Sequence, residues 1–378
     1  MAHSTQLDSI LSAAFALGAS DVHITAGLAP IVRIDGELTT LPEQRDPLSA
    51  DWVGETILGI MGRRRRAHFE TASETDFSYT LPEVARYRVN AFVQQGGVAA
   101  AFRVIPSYAP TLETYRIPSI VRELALRSSG LVLVTGPTGA GKSSTLAAMV
   151  DIINTERAAH VISIEDPIEF VHESRNSLIH QREIGSDTES FAHALRYVLR
   201  QDPDVILLGE LRDPESIAVA LSAAETGQLV LATLHTQSAT NSINRIVDAF
   251  PADRQNQVRS QLADTLRGVV SQRLLPRLAG RGRVLATEVM VQTPAIANLI
   301  REGQVQQLYS ALYAGADQGM HTMDQSLRAL VAAGEVSHQT AKSLLTDSRA
   351  LADLRVIDPE LERIDWMGGA APRDGRKR

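Results

Sequence analysis

The segment Gly136–Ser143 reads G-P-T-G-A-G-K-S, a glycine-rich phosphate loop, and it constrains the chain more than any other stretch. Such a loop needs a buried strand before it and a helix after it. Its glycines let the backbone N–H groups curl toward phosphate oxygens, and the helix adds its positive end. Both flanks are present. Leu131–Thr135 is a short continuous apolar run, as in a strand buried on both faces, and Leu146, Met149 and Val150 give the next segment a helical apolar face. Gly136, Pro137, Thr138, Gly139, Ala140, Gly141, Lys142, Ser143 and Ser144 are therefore expected to bind a nucleoside triphosphate. Lys142 would reach the β- and γ-phosphates and the Ser143 hydroxyl would ligate Mg²⁺.

Composition narrows the rest. The 378 residues are enough for two or three domains, and 44% hydrophobic with 21% charged residues is ordinary for a globular chain. There is no cysteine, which excludes disulfides and thiolate metal sites. A net charge of −7 argues against a protein that coats nucleic acid. Nearly all the positive charge is arginine. The lysines are Lys142, Lys342 and Lys377, so the phosphate loop keeps a lysine that the rest of the chain avoids. No apolar run reaches the ~18 residues that span a bilayer. The N-terminus reads as an amphipathic helix on Leu7, Ile10, Leu11 and Ala14, ended by Gly18.

Periodicity predicts an α+β domain over 1–104. Its strands lie at Val22–Thr25, Ile31–Ile34, Glu37–Leu41, Thr75–Tyr79, Arg86–Phe92 and Val98–Val104, with an Asp35-Gly36 turn and a helix at Trp52–Met61. The run Arg63–Arg66 is expected on a solvated face. Pro106, Pro110 and Pro118 mark a linker over 105–117, with Pro118 opening the next helix. Strands and helices then alternate over 118–292, which implies a mainly parallel sheet covered on both faces. Further strands are expected at His160–Ile164, Val205–Leu208 and Leu229–Leu234. Helices are expected after Ser186–Glu189, which has capping-box spacing, and from Pro214 to Gly227. The region 293–346 reads as helical, at 294–301, 304–313, 323–333 and 338–346. The charged, glycine-containing tail 347–378 is expected to be partly disordered.

Hydrolysis needs an acidic group at a neighbouring strand tip. Asp204–Asp213 reads D-V-I-L-L-G-E-L-R-D, so four apolar residues lead to Gly209-Glu210, and Glu210 is the nearest carboxylate to that tip. It would organise the metal's water shell or activate water. The strand at His160–Ile164 runs into Glu165-Asp166-Pro167-Ile168-Glu169, where Glu165 is the first candidate to polarise water and Glu169 the alternative. Leu229–Leu234 ends at His235, placed to sense a γ-phosphate. His23, after Ser20-Asp21, reads as structural.

These motifs together resemble the type II/type IV secretion ATPase superfamily, and within it the twitching-motility, pilus-retraction branch. Gly136–Ser143 matches the Walker A motif, Ile164–Phe170 the Asp box, Asp204–Asp213 the Walker B segment and Gly227–Thr236 the His box. G-A-S-D-V-H-I at 18–24 and R-Y-R-V-N-A-F at 86–92 match as well. The resemblance spans about 5–345. It implies a PAS-like N-terminal domain and a RecA-like ATPase core, assembled as a homohexameric ring in the cytoplasm at the inner face of the membrane. ATP would bind between the two domains, with Arg88 and Arg103 reaching its γ-phosphate and Arg86 close behind. The partner implied is an integral-membrane pilus platform protein. Pilus-extension and secretion motors share the ATPase signature but usually carry a larger N-terminal region and often a four-cysteine zinc site, and this chain has neither. The branch's A-I-R-N-L-I-R-E motif reads A-I-A-N-L-I-R-E at Ala295–Glu302, with Ala297 in the arginine's place. That departure brings in an accessory retraction subunit, acting with a paralogous ATPase, as the alternative. A RecA-like DNA motor or a non-catalytic ring subunit are further competitors.

Overall fold

The computed structural model describes residues 2–34, 36–105, 111–278 and 282–345. The expectations for Asp35, for 106–110 within the linker and for the 347–378 tail lie outside these residues.

The first half is built by period-2 patterning. Helix α1 (Ala2–Ala16) buries Leu7, Ile10, Leu11 and Ala14. It is followed by strands β1 (Asp21–Thr25), β2 (Ile31–Ile34) and β3 (Glu37–Thr40), helices α2 (Ala50–Ile60) and α3 (Arg63–Ala72), and strands β4 (Glu74–Leu81), β5 (Ala85–Gln94) and β6 (Gly97–Ile105). The sheet is antiparallel throughout, in the order β3-β2-β1-β6-β5-β4. Along β5, Ala85, Tyr87, Val89 and Ala91 face the core, which leaves Arg86, Arg88 and Asn90 on the opposite face. Tyr87 packs edge-to-face on Phe102 at 6.2 Å, and its Oη donates to the Leu11 carbonyl at 2.9 Å.

The four-arginine run differs from expectation. It forms the first turn of α3, and Arg63, Arg64 and Arg66 are exposed, but Arg65 turns inward. Strand β6 also runs through Ile105, one residue into the expected linker.

The second half alternates as expected. Helix α4 (Ile120–Ala125) has Ser119 as its N-cap, so Pro118 stands just outside it. Next come β7 (Gly130–Thr135), α5 (Lys142–Glu156), β8 (His160–Glu165), β9 (Leu178–Glu183), α6 (Phe191–Val198), β10 (Val205–Leu208), α7 (Pro214–Glu225), β11 (Leu229–Leu234), α8 (Ala239–Asp248), α9 (Ala252–Thr265), β12 (Leu266–Pro276) and β13 (Arg283–Val291). The seven-stranded sheet has the order β13-β12-β7-β11-β10-β8-β9. Only the β12–β13 pairing is antiparallel. Strands β7, β10 and β11 are buried at every position, as the continuous apolar runs require. Each fully buried Leu, Val or Ile there contributes about 1.5–3 kcal/mol. Helix α6 is capped by Ser190, whose side chain accepts from the His193 N–H, and not by Ser186. Strand β9 was not expected from the sequence, because His180-Gln181-Arg182-Glu183 has no apolar period.

Helices α10 (Pro294–Arg301), α11 (Leu308–Ala314), α12 (Met323–Ala332) and α13 (His338–Lys342) complete the chain. The expected helix over 304–313 divides into a 3₁₀ turn at Val305–Gln307 and α11. Each sheet has its own hydrophobic core, and a small satellite cluster unites β12, β13, α12 and α13.

Candidate nucleotide site

The phosphate loop joins β7 to α5, and its backbone explains its glycines. Gly136 has φ +145°, and a Cβ there would lie 2.4 Å from the Gln272 carbonyl oxygen. Gly141, the N-cap of α5, has φ +86°. Behind the loop, Gln272 of β12 donates to the Thr145 Oγ1 at 2.6 Å, and Thr135 shares a 2.9 Å hydrogen bond with Ser271. Strand β12 thus buttresses the loop, and its Leu274 also reaches the cleft. Lys142 Nζ donates to the carbonyls of Gly136 and Pro137 at 2.9 and 3.1 Å. Burial pulls its ammonium below the usual lysine range, against the opposing attraction of Glu210 and Glu169.

The loop opens on a cleft of about 640 Å³. The tips of β8, β10 and β11, consecutive neighbours of β7 in the order β7-β11-β10-β8, deliver Glu165, Glu210 and His235 to it. Glu210 and His235 meet directly: the Glu210 carboxylate takes His235 Nε2 at 3.3 Å and Arg212 Nε at 2.7 Å. Burial raises the Glu210 carboxyl, but Arg212 and His235 together outweigh it and hold the group below the ordinary glutamate range. Glu165 moves the other way. Burial pushes its carboxyl up, although Ser163 Oγ donates to it at 2.6 Å and Gln181 Nε2 at 3.2 Å. Asp166 and Glu169 also line the cleft. Gly209 stands where the common Walker B motif has an acid. A Cβ there would lie in van der Waals contact with the Glu165 Cα at 3.4 Å and the Phe191 ring at 3.5 Å.

Among the described residues, one of the N-terminal half reaches the cleft. Arg88 lines the cleft, as does Tyr115. Arg103 does not. It is the cross-strand partner of Arg88, but its guanidinium is bound to Asp21 at 2.8 Å. Arg86 also lies away from the cleft, paired to Glu183 at 2.9 Å. His23 is on β1, outside the site. Sequence reasoning missed Arg212, Tyr115, Gln181 and Arg283 as wall residues. Arg212 had a signal, since two residues along an extended segment return to the same face as Glu210. The others carry none, because their partners are remote in sequence.

A mainly parallel sheet with a phosphate loop at the tip of an inner strand and acidic groups on the neighbouring tips defines a RecA-like P-loop ATPase core. The chain belongs to the type II/IV secretion system protein family, whose description matches residues 3–355. It is 50% identical over 325 residues to the type IV pilus retractation ATPase PilT of Pseudomonas aeruginosa, covering 86% of this chain and 94% of that one. The type IV pilus ATPase PilU of the same organism is 42% identical over 340 residues, covering 90% and 88%. The crystal structure of the pilus retraction motor PilT with bound ADP superposes with a TM-score of 0.85 at 45% identity, over 92% of this chain and 99% of that one.

Among the described residues, no helix is long and apolar enough to cross a membrane.

Proposed function

We propose that this chain is an ATPase that drives type IV pilus retraction. The observation that carries the ATPase reading is the convergence of the phosphate loop, the Glu210–His235 pair, Glu165 and Arg88 on one cleft. The pilus reading rests on the similarity to PilT across almost the whole of that protein.

The oxygen-rich walls suit a magnesium nucleotide. The Ser143 hydroxyl and the Glu210 carboxylate face the same cleft, and no described group of three or more acidic or histidine side chains forms a metal cage of its own. That fits Mg²⁺, which keeps most of its waters and arrives with phosphate. When bound, Mg²⁺ neutralises charge on the phosphate oxygens. The chain's own groups do the rest. Loop N–H groups from Gly136 to Ser144 and the start of α5 hold the phosphates, and Lys142 exchanges its two carbonyl contacts for phosphate oxygens. Glu210 would help hold the hydrated metal, and Glu165 orients the attacking water and takes its proton, with Glu169 as the alternative. His235, bonded to Glu210, registers the terminal phosphate. Arg88 offsets the charge that develops there.

We further propose the division into 1–104, 105–117, 118–292, 293–346 and a 347–378 tail. The working form is a homohexamer at the cytoplasmic face of the inner membrane, pulling through a platform protein. Arg103 would take part only if it leaves Asp21. The similarity to PilU and the alanine at 297, which is buried in α10, favour a second reading as an accessory retraction subunit beside a paralogous ATPase.

The test is turnover by the isolated chain together with gene deletion and complementation. Glu210→Gln is expected to keep ATP binding and lower kcat about 10²–10⁴-fold, and Lys142→Ala to abolish both. Deletion is expected to leave cells with excess surface pili and no twitching, restored by wild type and not by Lys142→Ala. Cells without pili would point to an extension motor. No turnover by the isolated chain would point to the accessory reading.

A further inference from the structure

Glu183, at the end of β9, is a carboxylate only 1% exposed and lies outside the cleft. Its Oε2 accepts from Arg86 Nη2 at 2.9 Å and from the Ile168 N–H at 3.3 Å. Its Oε1 accepts from Ser78 Oγ at 3.1 Å and from Ser186 Oγ at 3.4 Å. Arg86 Nη2 also donates to Ser78 Oγ at 2.7 Å. One residue on, the Ile184 carbonyl accepts from Arg65 Nη2 at 2.5 Å. Gly185 follows with φ +81°, and a Cβ there would lie 2.5 Å from the Arg65 guanidinium. Two arginines of the N-terminal half, from α3 and β5, thus close on the single turn 183–185. The Nε atoms of both are buried and make no hydrogen bond, so the Nη2 atoms carry the contacts. A charge so enclosed is tolerated only when it is paired and hydrogen-bonded.

We infer that Glu183 and Arg86 form a clamp that positions Arg88 and the Glu165–Glu169 loop on opposite sides of the bound nucleotide. Strand geometry makes the link to Arg88. Arg86 and Arg88 share one face of β5, one pleat repeat apart, and Ser78 is the cross-strand partner of Arg88. Anchoring Arg86 and Ser78 to Glu183 fixes where Arg88 stands over the cleft. The link to the acidic loop is the Ile168 N–H, between Glu165 and Glu169. One buried carboxylate therefore holds both walls. Arg86 and Glu183 are positioning residues, and the inference rests on the reading that Arg88 acts on the terminal phosphate.

The full-length chain tests this in two ways. In the first, kcat, KM and the dissociation constants of ADP and of a non-hydrolysable ATP analogue are measured for wild type, Arg86→Gln, Arg86→Lys, Glu183→Gln, Arg88→Gln and the Arg86→Gln/Arg88→Gln double variant. Arg86→Gln is expected to lower kcat tenfold or more and to weaken the analogue, while ADP binding stays within twofold. Arg86→Lys should recover part of the loss. The double variant should be no slower than Arg88→Gln alone, because the first substitution acts through the second residue. Multiplying losses, or an equal weakening of ADP, would overturn the inference.

In the second, the absence of native cysteine allows paired spin labels at Ala67→Cys in α3 and Gln201→Cys beyond α6, both exposed. Their distance distribution should broaden in Arg86→Gln and Glu183→Gln. An unchanged distribution overturns the clamp. If Arg88→Gln is harmless while the distribution broadens, the clamp stands and the role given to Arg88 is what fails.

Discussion

At the residue scale, two carboxylates compete for the work at the γ-phosphate, and their surroundings drive them apart. Glu165 is raised by burial, whereas Glu210 is lowered by Arg212 and His235 despite burial. A base must be deprotonated to act, so activity falls as pH drops through its pKa. If Glu165 is the base, the acid limb of kcat/KM lies above the ordinary glutamate value. If Glu210 is, the limb lies below it. Glu165→Gln should then remove a high-lying limb and leave the alkaline side, where Lys142 discharges, unchanged. A pH–rate profile of wild type and Glu165→Gln decides between them. The nucleophilic geometry was legible from the sequence because each group sits next to a buried apolar run. The positions of Arg86 and Arg103 were not. Both occupy strand positions that point out of the core, yet which carboxylate captures each one depends on Asp21 and Glu183, 82 and 97 residues away. No local pattern encodes those pairings.

At the scale of elements, the strands that flank the phosphate loop were legible because burial on both faces demands unbroken apolar runs. Strand β9 was hidden because it lies at the sheet edge and is half polar. The cap of α6 was misplaced because Ser186 and Ser190 both offer a hydroxyl, and only tertiary packing selects between them. Buried Glu288 on β13 shows how much an element can depend on one remote group. It accepts from the Ala239 N–H at 2.7 Å and the Met323 N–H at 3.4 Å, at the starts of α8 and α12. Helix α8 begins four residues after His235. Glu288→Ala leaves two helix-start N–H groups without this acceptor and is expected to destabilise the fold by about 2–4 kcal/mol. Denaturant unfolding measures that loss. Faster amide exchange at Ala239 and Met323, with α10 unaffected, would locate it.

At the scale of the whole molecule, two separate cores are linked by polar contacts that include Arg86–Glu183 and Arg65–Ile184. Cores of that kind unfold as separate units unless something couples them. Calorimetry of the chain alone is expected to show two transitions. Saturating ATP analogue should raise the second-half transition by several degrees and draw the two together, since the cleft has walls from both halves. A single nucleotide-independent transition would mean the halves are one cooperative unit.

The three glycines of the phosphate loop look interchangeable on paper, but they differ in what they forbid. Gly136 faces the Gln272 carbonyl with no room for one more carbon, Gly141 has a leucine methyl at 3.6 Å, and Gly139 has open space around it. Only the backbone angle, φ +78°, restrains Gly139. Across a long lineage, then, the first position should stay frozen, while the last is restrained mainly by its own angle of φ +86°. At the middle one the backbone angle disfavours side chains in general, and asparagine is the replacement it should bear best. The strand behind the loop thus adds, at the first glycine, a steric constraint to the positive backbone angle that all three share.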